Sequence, residues 1–167
     1  MKKICFLIVF SLVMFEAIPQ DQDKKTRKER QQEHAEKVKQ WIDAQDYKFI
    51  AQKAIPMTGR TMDLTYGYDL QVSKDTITAY LPYFGRAYIA PIDNTEGGIK
   101  FESKEFSYKK ETAKKDGWNI YIIQEDGQRR YELILRVSSN GSASLSVNDD
   151  ARQSISFNGY IDDRKKK

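Results

Sequence analysis

The fold is decided by the stretch from Tyr131 to Val147, which reads YELILRVSSNGSASLSV. Apolar residues recur at every second position on both sides of Asn140-Gly141, the strongest short-range turn signal in the chain. A period of two is typical of a strand with one buried face and one solvated face. The stretch therefore predicts two antiparallel strands joined by a tight hairpin turn.

Three more segments of this kind flank that hairpin, each bounded by a turn signal: Phe106 to Lys114, Trp118 to Ile122, and Ile155 to Tyr160. Together these segments predict five consecutive strands in an antiparallel meander. An earlier hairpin runs from Tyr68 to Val72, turns at Lys74-Asp75 and returns from Ile77 to Leu81. A lone twisted sheet cannot bury its apolar face, so the sheet either curls on itself or is covered by this hairpin and a helix.

The residues before the strands predict one helix. Asp21 to Gln45 contains neither glycine nor proline and is rich in lysine, glutamate, glutamine and arginine, which favour helices. Only its second half carries an apolar stripe at helical spacing: Ala35, Val38, Trp41 and Ile42. We expect a solvated start and an end that docks on the body through Trp41. His34, the only histidine, is interpreted as a surface residue.

The chain begins with the parts of a secretory signal peptide. Lys2 and Lys3 precede an uncharged apolar run from Ile4 to Phe15, and a polar stretch begins at Gln20. Cleavage is expected after Ala17 or as late as Gln20, with export to the periplasm, the cell envelope or the medium. The mature chain is expected to have no transmembrane segment, because a span needs about 20 apolar residues.

These patterns predict a fold that is mostly β (α+β): an antiparallel meander of about seven to nine strands, curled or covered, with one N-terminal helix. The predicted divisions are a signal peptide at 1–17, a charged tail and helix start at 18–36, a single β-rich domain at 37–163 and a basic C-terminal tail at 164–167.

Positive charge lies at the ends of the chain. The formal net charge is +4, yet residues 41–163 hold 15 basic and 18 acidic groups, which is −3. The excess of basic groups is therefore in the terminal segments at 24–40 and 164–167. A nucleic-acid-binding protein needs basic groups clustered on a folded face. We expect solvated basic ends and no nucleic-acid partner.

Cysteine and histidine usage excludes several chemistries. Cys5, the single cysteine, leaves with the signal peptide, so the mature chain has no disulfide, thiolate nucleophile or zinc-thiolate site. With His34 alone, a Ser-His pair lacks a base in the body. Two loops are only loosely similar to calcium sites, Asp93 to Gly97 and Asn148 to Asp150. No metal or cofactor is expected.

The segment from Tyr80 to Ile92 departs from the alternation. Pro82 cannot donate to a sheet ladder and Gly85 tolerates a positive φ, so the chain should bend sharply there. Rings beside a guanidinium can stack on a sugar and hold a carboxylate or phosphate. The alternative is a structural corner whose rings plug one end of the sheet, with Arg86 paired to an acid of the body. The candidate ligand-binding residues are Tyr80, Tyr83, Phe84, Arg86 and Tyr88, with Arg60 as a weaker addition.

Three motifs carry a family resemblance: AIPMTGR at Ala54 to Arg60, YLPYFGRAY at Tyr80 to Tyr88, and NGSASLSV at Asn140 to Val147 followed by RQSIS at Arg152 to Ser156. They resemble a family of secreted proteins from gut-type Gram-negative anaerobes, domain of unknown function 4251, over nearly all of Lys37 to Ile161. The resemblance implies an exported, mostly β envelope protein and no particular activity. Some relatives look like lipoproteins, but Cys5 is too early for a lipoprotein cleavage site.

Two classes of function stay open. One is a non-catalytic ligand-binding or interaction module of the envelope, whose partner would be an envelope glycan, a peptide or another envelope protein. The other is a hydrolase-type enzyme that uses carboxylates and tyrosines. Export, the lack of a thiol and the lack of a base in the body favour the first. No acid is flanked in sequence by the apolar setting that raises a carboxyl pKa.

Overall fold

The computed structural model describes residues 26–65, 67–86, 88, 97–114, 116–126 and 129–165. The predicted signal peptide at 1–17, most of the first calcium-like loop and the end of the aromatic segment lie outside these residues. Within the described part of the chain, no helix combines the length and apolar character that a membrane span requires.

The helix, α1, runs from Arg27 to Ala44. It begins with a capping box, because the Thr26 side chain accepts from the Glu29 N–H and the Glu29 carboxylate accepts from the Thr26 N–H. It ends at Gln45, which adopts the left-handed conformation with φ 52°. Val38 and Ile42 are buried while the predicted anchor, Trp41, is half-buried against the core. The N-terminal helix is confirmed.

Ten strands follow in the part of the chain that the structure describes, and the second has only two residues: β1 Tyr47–Pro56, β2 Met62–Asp63, β3 Asp69–Val72, β4 Ile77–Pro82, β5 Gly98–Ser103, β6 Phe106–Ala113, β7 Gly117–Gln124, β8 Tyr131–Val137, β9 Ser142–Asp149 and β10 Arg152–Asp162. The predicted meander is β6 to β10, and the predicted early hairpin is β3 and β4. The fold class is confirmed as mostly antiparallel β.

One sheet contains all the strands, in the order β5-β4-β3-β1-β10-β9-β8-β7-β6, with β2 added to β1. Pairing of β1 with β10 joins the early hairpin to the meander. The two end strands of this order, β5 and β6, are separated in the chain only by Lys104 and Glu105. The sheet therefore curls so strongly that it is nearly closed. A ring stack at 4.8 Å between Phe101 of β5 and Tyr131 of β8 joins strands far apart in that order.

The interior is filled by the inward residues of these strands. The largest fully buried side chains on the strands are Tyr47, Phe49, Leu70, Ile77, Leu81, Ile99, Ile120, Ile122, Leu133, Leu135 and Phe157. Each contributes about 1.5–3 kcal/mol by leaving water. The described core therefore forms without any disulfide.

Helix α1 docks at one end of the curled sheet. Lys110 of β6 forms an ion pair with Asp43 of the helix at 2.5 Å. The Gln45 side-chain amide donates to the Ser73 carbonyl of the β3–β4 turn at 3.3 Å. A Cβ at Gly141, in the β8–β9 turn, would lie 3.2 Å from the Val38 methyl group. The helix thus lies beside β6 and these two turns.

Candidate functional site

The opposite end of the sheet brings together the ends of five strands. Pro82, the last residue of β4, pairs with Gly98 at the start of β5. Asp149 at the end of β9 pairs with both Tyr131 at the start of β8 and Arg152 at the start of β10. Arg152 Nη1 donates to the Gly98 carbonyl at 3.1 Å and so joins the two groups. We call this region the bend end.

A buried ion pair lies at the centre of the bend end. Arg152 Nε donates to Asp149 Oδ2 at 2.8 Å, and the two side chains are only 5% and 4% exposed. Arg152 Nη2 donates to the Tyr131 hydroxyl at 2.9 Å, and Asp149 Oδ1 accepts from the Ala151 N–H at 2.7 Å. Buried charges are tolerated when they are paired and hydrogen-bonded in this way. The pair connects β5, β8, β9 and β10.

Tyr83 covers this ion pair. Its ring lies over the Arg152 guanidinium, with 4.6 Å from the ring centroid to the guanidinium carbon. Its hydroxyl oxygen lies 3.0 Å from the carbonyl oxygens of both Arg86 and Gln153, which share its single proton. Burial raises the pKa of the Tyr83 hydroxyl, against the opposing effect of Arg152. Phe84 is half-buried against the core. Tyr83 and Phe84 therefore occupy the structural position of a plug.

Gly85 has a different role from the one expected. Its φ is not positive; the glycines with positive φ among the described residues are Gly59, Gly67 and Gly141. A Cβ at Gly85 would instead lie 2.5 Å from the Tyr83 hydroxyl oxygen. A side chain at this position would displace the Tyr83 ring, which folds back onto the backbone of the bend.

The bend continues as a strand-like contact with the start of β10. The Tyr88 N–H donates to the Ala151 carbonyl at 2.8 Å, and the Gln153 N–H donates to the Arg86 carbonyl at 3.1 Å. The side chains of Arg86 and Tyr88 are left in solvent, and Tyr88 is 69% exposed. Backbone hydrogen bonds therefore fix the bend, and its outward side chains are exposed to solvent.

A second loop reaches the same place. Gln153 Oε1 accepts from the Arg86 N–H at 3.4 Å and from the Thr58 hydroxyl at 3.5 Å. Thr58 belongs to the loop after β1, which contains exposed Met57 and exposed Arg60. The structure thus places the Arg60 loop against the bend. We call the exposed side chains of the two loops the rim: Met57, Arg60, Arg86 and Tyr88.

Tyr80 lies apart from the rim. Its side chain is on the outer face of the sheet, where its ring stacks on Tyr68 at 5.7 Å with an interplanar angle of 11°. The predicted site residues are therefore divided: Tyr83 and Phe84 pack inward, Arg86, Tyr88 and the Arg60 loop form the rim, and Tyr80 faces outward. The buried arginine that pairs with an acid of the body is Arg152, not Arg86 as the corner interpretation required.

The profile of a known family, "Domain of unknown function (DUF4251)", matches residues 29–161. The chain belongs to this family. A crystal structure of a DUF4251 family protein from Bacteroides eggerthii DSM 20697 is similar, with a TM-score of 0.58 at 14% sequence identity, covering 78% of this chain and 87% of that one. At this identity the likeness shows a shared fold. No curated protein matches the chain.

The amino-acid sequence of this DUF4251 protein did not indicate that Arg152, Asp149 and Gln153 belong to the bend end. All three lie in or beside the β9–β10 turn, where charged and polar side chains are ordinarily solvated. The only signal was the presence of Arg152-Gln153 in a motif that carries the family resemblance. The Arg152 guanidinium is covered by Tyr83, which follows a strand distant in sequence.

The described residues of this DUF4251 protein contain no cluster of three histidine, cysteine, aspartate or glutamate residues placed to hold a metal ion. His34 is exposed, as predicted. The sequence showed no acid with flanking residues that would raise its pKa, but burial in the sheet raises the pKa of the Asp69 carboxyl, although Gln71 and Lys48 act to lower it.

Two substitutions separate the plug from the rim. We expect Tyr83→Ala to lower the free energy of unfolding by about 3 kcal/mol or more, because it removes a ring packed on a buried guanidinium and leaves a cavity. Arg86→Ala truncates an exposed side chain and should change it by no more than about 0.5 kcal/mol. Urea denaturation of the mature protein measures both. Equal losses of stability in the two variants would contradict this division of roles.

Proposed function

We propose that this DUF4251 protein is an exported, non-catalytic binding module of the cell envelope, and that its rim binds an acidic envelope component. The observation that carries the proposal is the rim itself. Two arginines, a tyrosine and a methionine are exposed on two loops that meet at Gln153.

The charge of the rim favours an anionic ligand. Among the described residues, neither the Arg60 nor the Arg86 guanidinium has an ion-pair partner. The buried acid of the bend end, Asp149, is already paired with Arg152. Guanidinium groups bind carboxylate and phosphate in bidentate geometry. Tyr88 adds an exposed aromatic surface on which a sugar ring or a peptide side chain can pack.

The contacts beneath the rim favour a binding surface that is already formed before the ligand arrives. The bend is held by backbone hydrogen bonds from Tyr88 and to Arg86, and these rest on the buried Arg152–Asp149 pair. A preformed surface loses little conformational entropy when it binds. A rigid rim of this kind suits a recognition module.

The hydrolase alternative has one observation in its favour, the raised pKa of the Asp69 carboxyl. Glycoside hydrolysis needs a second carboxylate near the first. The residues directly across the sheet from Asp69 are Ile50 and Tyr80, neither of which is an acid. Binding therefore remains the better supported function.

The binding test uses purified peptidoglycan sacculi, whose stem peptides supply carboxylates. The mature wild-type protein should cosediment with sacculi, and binding should weaken as salt is raised. The double variant Arg60→Gln/Arg86→Gln should bind about tenfold more weakly. Arg136→Gln, an exposed arginine on β8, is the matched control and should bind like the wild type. Cosedimentation that is absent, or equal in all variants, would contradict binding of this acidic component at the rim.

Export makes a separate prediction. Protein produced in a Gram-negative host should be recovered from the envelope or periplasm with its N-terminus between Ile18 and Asp21 and with no added acyl mass. Intact-mass measurement of the purified protein checks both points. Recovery of the chain with Met1 intact from the envelope would contradict signal-peptide cleavage.

A further inference from the structure

A row of side chains crosses the outer face of the sheet, away from the rim. The strand registers place five residues side by side: Tyr160 pairs with Ile50, Ile50 with Asp69, Asp69 with Tyr80, and Tyr80 with Lys100. The row thus spans β10, β1, β3, β4 and β5. Its members are distant in sequence and are brought together only by the sheet. We call it the outer row.

Aromatic surface is exposed toward both ends of the outer row. Tyr160 is 37% exposed and Tyr80 is 45% exposed. They are three strand steps apart, roughly 14 Å in a sheet of ordinary spacing. Tyr68 stacks on the Tyr80 ring and widens that end, and the flexible Lys100 ammonium lies 4.9 Å from the ring centroid. Two exposed tyrosines therefore lie on the same face of the sheet, with Ile50 and Asp69 between them.

A groove deepens the surface at the Tyr160 end. It encloses about 410 Å³ beside β1, β2 and β10. Its lining combines the outer-row residues Ile50 and Tyr160 with Leu64 and with the ion pair of Lys53 and Asp63, whose charged groups are 3.1 Å apart. The groove is therefore continuous with the row.

The charges of this surface balance. The outer row and groove contain two lysines, Lys53 and Lys100, and two aspartates, Asp63 and Asp69. The Asp69 carboxylate accepts from the Gln71 side-chain amide at 3.1 Å. Such a surface has no net charge to attract a polyanion or a polycation, but it offers closely spaced donors and acceptors. Its complement is an uncharged chain rich in hydroxyl groups.

We propose that the outer row binds a neutral polysaccharide, with one sugar ring packed on Tyr160, a second against the exposed edge of the stacked Tyr68 and Tyr80 rings, and hydroxyl groups hydrogen-bonded to Asp69 and its neighbours. Tyrosine provides an apolar ring face together with a polar hydroxyl, the combination that a hexose ring matches. An extended chain that lies across the strands reaches both tyrosines. This site is separate from the rim and from its acidic ligand.

Affinity electrophoresis of the mature protein in gels containing a soluble neutral polysaccharide tests the proposal. The neutral probes are a β-glucan, a galactomannan and an arabinoxylan. Polygalacturonic acid is the acidic polysaccharide used for comparison. At least one neutral probe should retard the wild-type protein. Tyr80→Ala and Tyr160→Ala should each weaken that retardation at least about tenfold. Asp69→Asn should weaken it as well, because the carboxylate accepts from sugar hydroxyls.

The control is Tyr121→Ala, a half-buried tyrosine on β7. It should keep the wild-type retardation, as should Arg60→Gln/Arg86→Gln, so that failure at the outer row is distinguished from failure at the rim. Thermal melting of each variant shows that the truncations leave the fold intact. Absence of retardation by all neutral probes, preference for polygalacturonic acid, or equal loss in Tyr121→Ala would each overturn the proposal. Binding of a peptide at the outer row in place of a polysaccharide would overturn it as well.

Discussion

Replacing Arg152 by methionine is expected to lower the free energy of unfolding by about 3–5 kcal/mol, since it leaves the Asp149 carboxylate buried without its partner. The substitution also removes hydrogen bonds to the Tyr131 hydroxyl and the Gly98 carbonyl, and it removes the cation beneath the Tyr83 ring. One side chain thus supports four strands and the bend. Urea denaturation followed by circular dichroism measures the loss.

Arg136→Met is the matched control, because Arg136 is exposed on β8. It should change stability by no more than about 0.5 kcal/mol. The double variant Arg152→Met/Asp149→Leu should lose less unfolding free energy than the two single variants lose together, since it removes both buried charges. If Arg152→Met proves no more costly than Arg136→Met, the ion pair does not organise the bend end.

The second large effect is expected at Gly159, in the pairing that joins the two halves of the sheet. A Cβ on Gly159 would overlap the carbonyl oxygen of Ile50 and lie 3.1 Å from the Phe49 ring. Gly159 pairs with Ala51, where the register of β1 shifts before Lys53. The carbonyl is backbone and cannot move without breaking the ladder between β1 and β10. Gly159→Ala should cost about 3 kcal/mol or more, or prevent folding.

Gly97→Ala is the control for this prediction, because a Cβ there meets no atom within 4 Å. The yield of soluble protein and the urea midpoint of the two variants should differ widely. A Gly159→Ala protein that unfolds at the same urea concentration as the wild type would show that β1 and β10 approach less closely than the structure indicates.

Local patterns in the sequence predicted the helix and seven of the ten described strands with their turns, whereas β1, β2 and β5 were not predicted individually. The alternation from Tyr131 to Val147 around Asn140-Gly141 predicts β8 and β9. It can do so because successive side chains of a strand point to opposite faces of the sheet. The capped helix and the hairpin of β3 and β4 are local in the same sense. The bend could also be predicted, since Pro82 lacks the N–H that a longer ladder would need. The sequence left open whether Arg86 is exposed or paired with an acid of the body.

Only the tertiary structure decided which residues meet. The pairing of β1 with β10 joins segments from opposite ends of the domain into one sheet, and no local period encodes that choice. It buries Arg152 beneath Tyr83, which turned two polar turn residues into a structural ion pair. It also aligns Tyr160 with Tyr80 across four strands. The physical reason is that sequence pattern sets which face a side chain takes, whereas long-range strand pairing sets its neighbours.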